Sequence, residues 1–244
     1  MVILHDDEHA EIIELDNMNN YYGRYAANYT LNVDEEKLEG QGKYVLKDYS
    51  AVKTRMKFKE EDNNEDQQDI VKEIDSDEED DDVEEEEDED IYEYTEVNGM
   101  EDKYGAIKGK FESELYTPFE SIGDEIYIDA FVSLEFEENP FLFEQRKYPA
   151  FFNSKHHLNH VSIIEIPEGY ALQSGPENLV LNMINNKGKF SYLLTVSDKS
   201  VVVNALFKIN DDIFTPEEYA SLHEFFNQII LKQKEKIVFA KKNG

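Results

Sequence analysis

From His160 to Ile209 the chain alternates short apolar runs with turn residues. HVSIIEI leads through Pro167-Glu168-Gly169 into YAL, and LVLNMI leads through Asn185-Asn186-Lys187-Gly188 into KFSYLLTV. VVVNALFKI then follows Ser197-Asp198-Lys199-Ser200. Connections this short join neighbouring strands running in opposite directions, because a parallel crossover needs a dozen residues or more. No strand–helix–strand rhythm interrupts the series, so this part of the chain is restricted to an antiparallel meander or sandwich.

In GRYAANYTLNV, Tyr25, Ala27, Tyr29, Leu31 and Val33 share one side of a period-two repeat. After the turn-rich DEEKLEG, Tyr44 and Leu46 alternate with polar neighbours, giving an antiparallel pair. AVKTRMKFKEED loses the alternation and is read as a short helix. IYEYTEV, AIKGKFESEL (with Ile107, Phe111 and Leu115 inward) and EIYIDAFVSLEF are strand-like, punctuated by Asn98-Gly99, Pro118 and Gly123. The period changes at TPEEYASLHEFFNQIILKQKEKIVFA. There Thr215 is a helix cap, Pro216 suits the first helical position and Glu218 completes a capping box. Tyr219, Leu222, Phe226, Ile229 and Ile230 form the apolar stripe of an amphipathic helix placed at 215–239.

Between the flanks lies DSDEEDDDVEEEEDED, residues 75–90, in which only Ser76 and Val83 separate carboxylates. Such a run has too little apolar surface to bury and repels itself, so it is expected to be a disordered insertion over residues 60–90. The organisation expected is an N-terminal β portion at 1–59 packing with the rest, then the insertion. A β-sandwich-like domain at 91–244 with its terminal helix follows.

With 56 acidic against 24 basic side chains, the net charge is −32, concentrated between Glu60 and Glu101. Nucleic acid is therefore not an expected partner, since phosphate binding relies on Lys and Arg. Cysteine is absent, which removes disulfides, thiolate metal sites and Cys nucleophiles. No apolar run reaches the roughly 20 residues of a membrane span, so no membrane insertion is expected. MVILHDDEHA lacks the basic start and long apolar stretch of a secretory signal, which suits a cytoplasmic protein if the chain is a full-length product.

Few residues suggest chemistry. In KHHLNH, His156, His157 and His160 are close enough in sequence to share a metal, but the spacing matches no established motif and supplies no fourth ligand. An exposed polar loop is the expectation. His5 and His9 in HDDEH resemble a metalloprotease motif with the Glu misplaced. GQGK, residues 40–43, is too short to cradle phosphates and reads as a hairpin turn. No elbow or signature joins a Ser, His and Asp, and paired carboxylates are too numerous to be informative. No catalytic, cofactor-binding or metal residue is assigned, no cofactor is expected, and the chain is read as no enzyme.

ENPFLFEQRKYPAFF, HVSIIEIPEGYAL and FTPEEYASLHEFFNQIILKQKEKIVF together resemble the C-terminal β region of bacterial exported proteins with a transglutaminase-like core. The resemblance extends to GDEIYIDAF and to YYGRYAANYTLNVDEEKLEGQGKYVLKDYSAVKTR. AFFNS after Tyr148-Pro149 and the acidic insertion depart from it. The resemblance implies a periplasmic or cell-envelope protein and a non-catalytic accessory region that docks on a separate or truncated transglutaminase-like core. Sheet edges are the expected contact. The alternative reading is an acidic-tract protein that sequesters a basic protein or divalent cations.

Overall fold

The computed structural model describes residues 2–5, 10–13, 20–61, 90–132, 138–143, 145–151 and 154–242; residues 75–89 of the acidic run and His9 lie outside them. Two short strands, β1 (Val2–His5) and β2 (Ala10–Ile13), form a hairpin that places His5 on a strand. There follow β3 (Asn20–Asn32), β4 (Lys37–Lys47), α1 (Asp48–Glu61), β5 (Ile91–Asn98), β6 (Ile107–Leu115), β7 (Phe119–Ile122) and β8 (Glu125–Asp129). The remainder comprises β9 (Ala150–Phe151), β10 (Lys155–Glu165), β11 (Tyr170–Ser174), β12 (Leu179–Asn182), β13 (Gly188–Val196), β14 (Ser200–Ile209), β15 (Ile213–Phe214), α2 (Pro216–Gln233) and β16 (Lys236–Lys241).

The protein is mostly β, as the alternation requires. Eight strands form one sheet in the order β12-β13-β14-β10-β3-β4-β6-β5, and four form another in the order β11-β16-β8-β7. β3 and β4 thus sit in the middle of the large sheet, between strands that follow the acidic run. Ile126, Ile128, Ile237 and Phe239 of the small sheet share one core with Tyr29, Leu46, Phe190, Val203 and Phe207 of the large one. Tyr25, Ala27 and Tyr29 face that core while Arg24, Ala26 and Asn28 face outward, which is the period-two division read from the sequence.

Three details differ from the sequence reading. GQGK is no turn: it lies inside β4, and the β3–β4 turn is at residues 33–36, where Glu36 takes a φ of 52°. Gly40 and Gly42 face inward because the rings of Tyr29 and Phe111 lie over them, where a Cβ would collide with the ring. The terminal helix stops at Gln233 instead of 239. Residues 236–241 insert as β16 between β11 and β8, and the β-branched and aromatic run Ile237-Val238-Phe239 buries both faces of the strand. Third, β10 pairs with β3 in parallel, although its other neighbour β14 is antiparallel.

The helix cap forms as expected. The Thr215 N–H donates to the Glu218 carboxylate at 3.0 Å, completing the reciprocal capping box, and the carboxylate also accepts from Lys187 Nζ at 2.7 Å and Asn185 Nδ2 at 2.9 Å. The Lys187 ammonium, followed by the Thr215 backbone donor, lowers the Glu218 pKa to about 2. Helix α1 is held by polar contacts: Arg55 donates to the carbonyls of Gly99 and Gly105 at 2.8 and 2.6 Å. Arg55 thereby ties the helix to the β5–β6 connection.

Candidate functional site

KHHLNH is the first half of β10, so the exposed-loop reading is corrected. His156 and His160 face inward and His157 outward, with His156 and His160 about 13 Å apart along the strand. The structure therefore does not bring the three imidazoles together. Among the described residues, no three His, Cys, Asp or Glu side chains are grouped to hold a metal. His160 is 4% exposed and stacked on Tyr25 at 4.6 Å; burial pushes its pKa down to about 3, leaving a neutral ring in the core. The inward positions His156, Leu158, His160 and Ser162 mix polar with apolar side chains, so the alternation that marks a strand is weak over this half of β10.

The parallel register sets Tyr21 beside His156 and Tyr22 beside His157, so one tyrosine–histidine pair lies on each face of the sheet. Tyr21 stacks on His156 at 4.8 Å and 10°, and Tyr22 meets His157 at 5.0 Å and 47°. Where β3 and β10 begin and β14 ends, these four rings line an open cavity of about 380 Å³ together with Lys155 and Lys208. Asp48 closes one side, its backbone in the left-handed region at φ 53°. Ser154 Oγ lies 2.8 Å from His156 Nε2, the contact a nucleophile and base would make. Ser154 is 4% exposed and does not line the cavity, so its hydrogen bond orients the imidazole and is not presented to a substrate.

A second feature lies on α2. Asn139 Nδ2 donates to the His223 carbonyl at 3.0 Å and to Asn227 Oδ1 at 2.7 Å, while its own Oδ1 accepts from the Phe141 N–H at 2.9 Å. Phe141 is 6% exposed and meets Tyr219 and Phe226 edge-on at 5.9 and 5.2 Å; the Arg146 guanidinium lies 5.1 Å from the Tyr219 ring centroid. The Asn139-Pro140-Phe141 triplet thus pins its segment to the helix. Among the residues that follow, Leu142, Phe143, Tyr148 and Phe151 are 72, 66, 80 and 67% exposed. The triplet was visible in the sequence; the outward direction of its neighbours was not.

Residues 124–239 match the model of a family described as "Domain of Unknown Function with solved-structure structure (DUF3858)". The match takes in the pinned segment, the cavity residues of β10 and β14, and α2. No curated protein matches the chain. Among solved structures, the chain is similar to a candidate protease from Parabacteroides distasonis ATCC 8503, at 19% identity and a TM-score of 0.36. The likeness covers 41% of this chain and 19% of that one, so the chain spans less than a fifth of that protein's length.

Proposed function

We propose that this chain is a non-catalytic accessory domain that docks on a transglutaminase-like catalytic core through the segment pinned to α2. The observation that carries the reading is a backbone anchored at Asn139 and Phe141 and followed at once by two large, two-thirds-exposed apolar side chains, Leu142 and Phe143. Adjacent exposed apolar side chains on an anchored backbone suit a partner contact, and anchoring lowers the ordering cost of binding. Leu142, Phe143 and Tyr148 lie in ENPFLFEQRKYP, within the stretch that carries the resemblance to the C-terminal region of transglutaminase-like proteins.

Sheet edges are poorer contacts. β7 and β12 have four residues each, and β5 and β11 carry register shifts that break a continuous hydrogen-bonding template. In this reading the chain supplies position and partner choice, and the core supplies the chemistry. By the same resemblance, the complex belongs to the periplasm or cell envelope. Calorimetric titration of the whole chain with a transglutaminase-like core from the same reading frame or a neighbouring gene tests the proposal. Saturable binding with a Kd of about 1 µM or tighter is expected. No heat of binding and no co-elution at tens of micromolar would overturn it.

A further inference from the structure

Across the outward face of the large sheet, one row of directly paired residues reads Lys47, Tyr22, His157, Lys208 and Lys189. Lys155 stands at the rim of the same cavity. Some lysines of this acidic chain find carboxylates: Lys37 meets Glu35 and Glu114, Lys187 meets Asp211 and Glu218, and Lys232 meets Glu235. Among the described residues, Lys47, Lys155, Lys189 and Lys208 form no ion pair. Lys189 and Lys208 face each other directly across β13 and β14, an arrangement of like charges that costs stability. Of these four lysines, Lys155 and Lys208 line the cavity, against the single carboxylate of Asp48.

We propose that this cavity binds a small polar ligand through an oxyanion, either a carboxylate or a phosphoryl group, held by Lys155 and Lys208. The Tyr22 and His157 rings give the ligand body a surface to lie on. Asp48, on the opposite side, accepts from a ligand hydroxyl or ammonium and disfavours a second anionic group there. The rest of the chain's negative charge opposes binding weakly, because charges farther than about 8 Å are screened at physiological ionic strength. The His157 imidazole is held below its ordinary value by partial burial and by Lys208, and an incoming oxyanion neutralises that positive field. The cavity shares no lining residue with the docking segment, so either proposal can fail alone.

The test is titration of the whole chain with glucose 6-phosphate, glucuronate and glucose, followed through the imidazole resonances of His156 and His157. One of the two anions is expected to saturate and glucose is not; which one saturates tells a phosphoryl ligand from a carboxylate. Lys208→Gln and Lys155→Gln should each weaken that binding about tenfold or more, since each removes a charge-assisted contact. Lys199→Gln, in the β13–β14 turn, should leave it unchanged. The proposal is overturned if neither anion saturates below about 10 mM, if glucose binds as well as they do, or if Lys199→Gln weakens binding equally.

Discussion

The outward face of β4, β6 and β5 and the segment pinned to α2 are both surface, yet they are built on opposite principles. On the sheet, Lys37 reaches Glu35 and Glu114 at 2.8 Å each, Lys110 pairs with Glu96, and Gln41 donates to Glu112 at 3.4 Å. On the pinned segment, a buried Phe141 and a hydrogen-bonded Asn139 hold the backbone, and the exposed Leu142 and Phe143 follow directly, with Tyr148 and Phe151 exposed farther along. The first surface is finished by water. The second is held at Asn139 and Phe141 without its largest side chains being covered, and the docking proposal rests on that combination.

The largest effect should come from removing the pin. Phe141→Ala empties a buried site against Tyr219 and Phe226 and should cost roughly 3–5 kcal/mol in urea unfolding, with docking lost as well. A loss below about 1 kcal/mol would mean the segment is not held by its Phe. Next, Leu142→Asp with Phe143→Asp should leave the urea midpoint near wild type while weakening docking at least about a hundredfold, the size of a hot-spot loss. Lys110→Glu on the sheet face should leave docking unchanged. Equal losses from the two surfaces would erase the contrast between them.

The smallest effect belongs to the sheet face and is set by pH. Glu114 is held below the ordinary carboxylate value of 4.5, first by its hydrogen bond from Lys37. The folded state therefore releases this proton more readily than the unfolded chain does. The stabilisation is complete above pH 4.5 and is lost as pH falls through the depressed value. The urea midpoints of wild type and Glu114→Gln should accordingly differ slightly at pH 7 and converge in acid. A gap that widens in acid would contradict the assignment.

Much of this fold was legible because local signals coincide with backbone needs. Gly99, Gly123 and Gly169 sit at φ values of 94, 66 and 84° where turns were expected. Ile107, Phe111 and Leu115 are buried, and Thr215, Pro216 and Glu218 cap α2. What stayed hidden depends on pairing across distance. Nothing near Tyr21 or His156 announces that β3 and β10 run in parallel, so neither the tyrosine–histidine pairs nor the cavity could be foreseen. Residues 236–239 read as helix because KQKEK continues the helical composition, whereas pairing with β8 and β11 draws them into the small sheet. The exposure of Phe143 is likewise decided by Asn139 meeting a helix more than eighty residues later.

The most direct measurement is amide hydrogen exchange on the whole chain with and without a transglutaminase-like core. The account predicts slowed exchange across residues 138–151 on complex formation, with β5 and β6 unchanged. Protection of β5 and β6 with residues 138–151 unaffected would contradict it, and would place the partner on the charged sheet face instead.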